Sequence, residues 1–137
     1  MQYVELGKTG HTVSRLGFGA MRLPASVFGE TDYVDFDLAV EVLQSAFEKG
    51  VTYVDTAQGY RNKESEIAVG RALRGWRDKV TLTTKASRGF IKQPGDLRRS
   101  LEHQLFRLDT DHIDFYLFHG IGWDRFHDMD EQTNWFA

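Results

Sequence analysis

Four short runs with strand character end at nearly equal intervals, and that spacing leaves the chain very few folds. Residues 16–21 end at Met21, residues 51–55 at Asp55, residues 79–85 at Lys85 and residues 113–119 at His119. The steps between those ends are 34, 30 and 34 residues. A βαβ repeat takes about 30 residues or more. An eight-fold barrel of about 250 residues allots roughly 31 to each unit. The runs are dense in β-branched, apolar and aromatic side chains, as in parallel strands buried on both faces. Glycine thins the first, Leu16-Gly17-Phe18-Gly19-Ala20-Met21, which marks either a close approach by a ligand or a tight barrel wall.

Helical patterns fill the intervals. Leu38, Ala39, Val42, Leu43, Ala46 and Phe47 recur at three- and four-residue steps. Asp37 is the expected N-cap, and Gly50 the residue that stops this helix after Lys49. A second helix is expected from Asn62 or Lys63 to Arg74. Glu64 and Glu66 in its first turn and Arg71 and Arg74 near its end complement the helix dipole. Pro94 and Gly95 introduce a third, with Leu97, Leu101, Leu105 and Leu108 as its apolar stripe.

The implied fold class is therefore α/β, of the (β/α)8 TIM-barrel type. About the first four βα units occupy residues 16–119. Residues 1–15 read as an amino-terminal β-hairpin turning at Gly7-Lys8-Thr9-Gly10. Residues 22–35 read as a loop containing Pro24 and Gly29. Residues 120–137 hold Trp123, Phe126, Met129, Trp135 and Phe136 without a clear period, and read as a loop after the fourth strand. The competing architecture is a doubly wound open sheet, whose dinucleotide signature is G-x-G-x-x-G opening a helix. Here Gly17-Phe18-Gly19 runs into the Pro24 loop, so that signature fails. Four strands do not close a barrel, and each open edge is a pairing liability. The expectation is a partial chain whose barrel is completed by a remaining half or by a second chain.

Composition removes other classes. With 137 residues, one domain with a modest core is expected. The net charge of −3 comes without a basic run, which argues against a nucleic-acid partner. Cysteine is absent, so there is neither a disulfide framework nor a thiolate metal site. No apolar run approaches the roughly 18 residues of a membrane span. The start, Met1-Gln2-Tyr3-Val4-Glu5, lacks the apolar segment of a signal peptide. A reducing, cytoplasmic setting is the expectation, with no metal and no membrane contact.

Three of the four strand ends are ionisable: Asp55, Lys85 and His119. Tyr60 follows Asp55 on the loop Thr56-Ala57-Gln58-Gly59. In a parallel barrel, ends of the same polarity lie on one face, where chemistry is placed. Each residue also has a structural reading, Asp55 and Lys85 as an ion pair and His119 as a rim histidine. Four such residues at matched positions are a less common coincidence than one. A free phenol titrates near pH 10, too high for proton transfer at neutrality. An ammonium about 4 Å away contributes on the order of 4 kcal/mol at an effective dielectric of about 20. Lys85 would thus poise Tyr60, Asp55 would hold Lys85 charged, and His119 would donate to a carbonyl oxygen. A Schiff-base enzyme using Lys85 is the alternative. A non-catalytic regulatory relative is another.

These residues also carry a family resemblance. Leu16-Gly17-Phe18-Gly19-Ala20-Met21-Arg22-Leu23-Pro24, Val54-Asp55-Thr56-Ala57-Gln58-Gly59-Tyr60, Lys63-Glu64-Ser65-Glu66, Thr83-Thr84-Lys85 and Asp114-Phe115-Tyr116-Leu117-Phe118-His119 together resemble the aldo-keto reductases. The resemblance implies reduction of an aldehyde or ketone with NADPH, or with NADH. It implies Tyr60 as general acid/base, with Asp55, Lys85 and His119 completing a tetrad. It places Gly19, Ala20, Met21 and Asp55 beside the nicotinamide ribose. The Met21-Arg22-Leu23-Pro24 form is similar to a bacterial branch whose members often carry a carboxyl-terminal iron–sulfur domain. No cysteine in these residues can ligate such a cluster.

Overall fold

A computed structural model describes residues 1–29 and 31–134. The chain opens with the expected hairpin, β1 (Tyr3–Glu5) against β2 (Thr12–Ser14), antiparallel with Tyr3 opposite Ser14. The first sheet strand, β3 (Phe18–Gly19), is only two residues long. At Ala20–Arg22 the chain turns away in a 3-10 turn rather than running straight to Met21. Ala20 is fully buried there, and its carbonyl accepts a hydrogen bond from Ser65 Oγ (2.7 Å).

Residues 22–35 are not a plain loop. β4 (Ala25–Phe28) and β5 (Thr31–Val34) form an antiparallel pair with Ala25 opposite Val34. Gly29, read as a loop marker, carries the positive φ of a hairpin connection. Helix α1 (Phe36–Glu48) begins earlier than expected. Asp35, not Asp37, caps it by accepting from Leu38 N–H (3.1 Å), and Gly50 stops it with φ +92°.

The remaining units follow as β6 (Tyr53–Asp55), α2 (Ser65–Ala72), β7 (Thr81–Ser87), α3 (Asp96–Leu108), β8 (Phe115–His119) and α4 (Trp123–Thr133). The second helix is shorter than its pattern because Arg61, Asn62 and Lys63 all have positive φ. The expected loop over residues 120–137 is corrected by α4. Its period is carried by aromatic pairs: Trp123 stacks near Phe126 (6.2 Å) and meets His127 edge-on (4.5 Å). Phe126 also touches Phe118 of β8 (5.3 Å). Trp135 and Phe136 lie outside the described residues.

Strands β3, β6, β7 and β8 form one sheet in that order, and every pairing is parallel. Helices α1, α2 and α3 each cross from one strand to the next, which is the βα order the spacing predicts. The core lies between sheet and helices, with Leu43, Phe47, Val54, Val69, Leu82 and Leu108 buried in it. Gly70 is required there: a Cβ would stand 2.5 Å from the backbone oxygen of Leu108, so α2 and α3 meet almost backbone to backbone.

Three expectations need correction. The deepest face of α3 is Ser100, Gln104 and Leu108, while Leu97, Leu101 and Leu105 are half-buried. The polar members serve Glu66, which is fully buried and not a solvated partner of the helix dipole. Thr84 Oγ1 (2.8 Å), Gln104 Nε2 (2.5 Å) and Arg107 Nε (2.7 Å) all donate to its carboxylate. Nor is β8 buried on both faces. It pairs on one side only within this sheet, and Leu117 is 44% exposed.

Candidate active site

Parallel register and two-residue alternation decide which strand residues share a face. Gly19 lies opposite Asp55, and Asp55 opposite Thr83. Lys85 and Ser87 follow Thr83 at steps of two, and Ser87 lies opposite His119. Gly19, Asp55, Lys85, Ser87 and His119 therefore share one face. Val54 and Leu82, one step out of phase, are buried in the core between sheet and helices, and Ala86 is buried in a smaller cluster with Ile91.

The side chains meet at the carboxyl ends of the strands. Lys85 Nζ donates to Asp55 Oδ1 at 2.5 Å and to the Thr56 carbonyl at 2.8 Å. The pair is only partly solvated, with side chains 13% and 28% exposed for Lys85 and Asp55. Tyr60 is delivered by the turn after β6. Lys85 Nζ lies 4.9 Å from the centre of its ring. The ring of His119 meets that of Tyr60 edge-on, with centres 5.5 Å apart and planes at 86°. Ser87 Oγ and His119 Nδ1 are 3.2 Å apart. The four sequence candidates are thus brought together, with the ammonium over the phenol ring.

The turn that carries Tyr60 is held from outside. Arg61 (φ 47°) and Asn62 (φ 53°) adopt left-handed conformations that cost side-chain-bearing residues energy. Asn62 Nδ2 donates to the Asp32 carbonyl (2.7 Å), and Arg61 pairs with the Asp32 carboxylate (3.2 Å). Glu64 Oε2 accepts from Val34 N–H (2.7 Å). The β4–β5 pair thereby fixes where the loop emerges.

The cofactor candidates behave unequally. Gly19 and Met21 are exposed, and a Cβ at Gly19 would meet no atom within 4 Å, so the rim beside Asp55 is open. Ala20 is fully buried at the same turn. A cleft of about 750 Å³ lies elsewhere, between the open side of β3 and α1 at Leu16, Phe18, Val42 and Ala46.

Sequence reasoning missed Ser87 and the carbonyl of Thr56. Ser87 carries a signal only in retrospect, as the residue two beyond Lys85. Its pairing with His119 depends on a register that no local pattern encodes.

Residues 15–135 match the family described as the Aldo/keto reductase family. A relative from Glycine max named a probable aldo-keto reductase is 38% identical over 130 residues, covering 88% of this chain and 37% of that protein. A solved structure of a putative aldo-keto reductase from Pseudomonas aeruginosa superposes with TM-score 0.78 at 32% identity, covering 98% of this chain and 52% of that one. An aldo-keto reductase from Klebsiella pneumoniae, solved in complex with NADPH, superposes with TM-score 0.70 at 28% identity, covering 88% and 41%. The fold is thus of the TIM-barrel type, and the four strands here are part of one barrel. The chain spans 37% and 38% of the length of two curated relatives it matches.

Proposed function

The chain belongs to the aldo/keto reductase family, and from that premise we propose that it forms the catalytic rim of an NADPH-dependent reductase of aldehydes or ketones. The observation that carries this reading is the arrangement of four side chains on three adjacent strand ends and one loop. Lys85 is held by Asp55 and stands over Tyr60, while His119 packs against Tyr60 from the next strand.

In this reading the cofactor, when bound, supplies a hydride to the carbonyl carbon. Gly19 and Met21 with Asp55 fit the nicotinamide ribose end, because this stretch of rim is open. His119 donates a hydrogen bond to the carbonyl oxygen as negative charge develops there. Tyr60 gives its hydroxyl proton to that oxygen and so acts as general acid. Lys85 stabilises the phenolate left behind, and Asp55 keeps the ammonium in place. The use of NADPH is suggested by the Klebsiella pneumoniae relative that was solved with it.

The Schiff-base alternative fits the geometry less well. A nucleophilic lysine needs a free lone pair. Lys85 instead donates to a carboxylate and to a carbonyl, as an ammonium does.

Residues 1–137 are proposed to act as one unit within the barrel. Strands β3 and β8 each have one neighbour in this sheet. The strands that close the barrel are proposed to come from residues beyond these 137 or from a second chain. No helix among the described residues is long and apolar enough to cross a membrane. The reading is tested by following carbonyl-dependent NADPH oxidation with a panel of small aldehydes and ketones, with borohydride trapping on Lys85 as the control for the alternative.

A further inference from the structure

We infer that Ser87 is a positioning residue that donates a hydrogen bond to His119 Nδ1 and so holds the imidazole in its Nε2–H form. This deepens the reductase reading and rests on it only for its meaning in catalysis. The contact itself belongs to the fold.

Ser87 ends β7 and His119 ends β8, and the two are partners in the parallel ladder. Their side chains therefore share the face that carries Lys85. The Oγ–Nδ1 separation of 3.2 Å is within hydrogen-bond reach, and both groups are partly buried. A neutral imidazole has one donor nitrogen and one acceptor nitrogen, and the bond made by one decides the character of the other. Among the described residues, the Ser87 hydroxyl has no acceptor besides Nδ1. Donation of its proton to Nδ1 leaves the ring proton on Nε2. That nitrogen is the one farther from the main chain of β8.

The consequence is chemical. With Nε2–H, neutral His119 can donate to a substrate carbonyl oxygen without first taking up a proton. In the opposite tautomer Nε2 would be a lone pair facing an oxygen that gains negative charge, and the contact would become repulsive. Ser87 thus selects the donor form. The edge-on contact with Tyr60, at 5.5 Å between ring centres, fixes the plane of the same ring.

The test reads tautomers directly and needs neither cofactor nor substrate. The 137-residue chain is labelled with ¹⁵N, and long-range ¹H–¹⁵N correlations of the imidazoles are recorded at about pH 8.5, above the ordinary histidine range. His119→Gln identifies the His119 signals among the five histidines. The expected result is an unprotonated, hydrogen-bonded Nδ1 and a protonated Nε2 in the parent chain. Ser87→Ala should lose that single-tautomer pattern and show exchange-averaged shifts, and Ser87→Thr should restore it. A protonated Nδ1 in the parent chain would overturn the inference, as would an unchanged pattern in Ser87→Ala. Carbonyl reduction is measured separately. Failure to reduce any carbonyl with the tautomer pattern intact counts against the reductase reading and not against Ser87.

Discussion

The ammonium of Lys85 lies 2.5 Å from Asp55 Oδ1 and 4.9 Å from the centre of the Tyr60 ring, so one cation is shared between a carboxylate and a phenol. In the proposed mechanism Lys85 acts on the reaction through Tyr60. Lys85→Met should lower turnover in the same direction as Tyr60→Phe, and the two losses should not add in the double variant. Steady-state rates of the two single variants and the double variant check this. Full additivity would give Lys85 an independent role.

Glu66 makes a stability prediction. It is fully buried, and Arg107, whose side chain is 18% exposed, is its ion partner. Removing one partner of a buried pair typically costs about 3–5 kcal/mol, whereas replacing both by apolar residues is often neutral. Glu66→Gln should therefore destabilise strongly, because an amide nitrogen would face either Gln104 Nε2 or the guanidinium. Glu66→Leu combined with Arg107→Met should recover only part of the loss, because Thr84 Oγ1 and Gln104 Nε2 lose their shared acceptor. Urea unfolding midpoints measure both.

Gly70 is the point where helix propensity and packing oppose each other. Alanine is favoured over glycine in a helix by about 1 kcal/mol. Here its Cβ would stand 2.5 Å from the Leu108 oxygen, a backbone atom that cannot rotate away. Overpacking of this kind costs about 1–3 kcal/mol. Gly70→Ala should lower Tm, while Gly89→Ala, where a Cβ meets no atom within 4 Å, should leave it nearly unchanged. Thermal melts followed by circular dichroism decide between the two effects.

Alkaline pH should expose Tyr116. Burial raises its phenol from 10.0 to about 12, and its hydroxyl donates to Gln104 Oε1 at 2.6 Å. The folded chain therefore favours the neutral phenol more than the unfolded chain does. That contribution is complete below about pH 10 and is lost as pH rises through about 12. Urea midpoints should fall across this window, and Tyr116→Phe should flatten the fall. An equally steep decline in the variant would remove Tyr116 as its cause.

The order of strands and helices was legible because each unit repeats one pattern at one interval. Asp55, Lys85 and His119 could be named because each follows a run of strand-forming residues. What escaped the sequence depends on long-range placement. Ser87 faces His119 only through the β7–β8 register. Glu66 looks like a dipole partner until Thr84, Gln104 and Arg107 close around it. α4 escaped because its period runs through Trp123, Phe126 and His127 and not through aliphatic residues. The pattern starts a helix at Asn62 or Lys63, yet tertiary contacts to Asp32 hold Arg61 and Asn62 in left-handed conformations.

The central claim is that Tyr60 supplies the proton, and Tyr60→Phe tests it most directly. The substitution deletes one hydroxyl and preserves the ring that Lys85 and His119 pack against. Carbonyl-dependent NADPH oxidation is measured in the assembled barrel, with cofactor affinity followed separately by fluorescence. The account predicts a loss in rate of about 10²–10⁴-fold, typical of general acid–base catalysis, with NADPH affinity nearly unchanged. Near-normal turnover in Tyr60→Phe would contradict it.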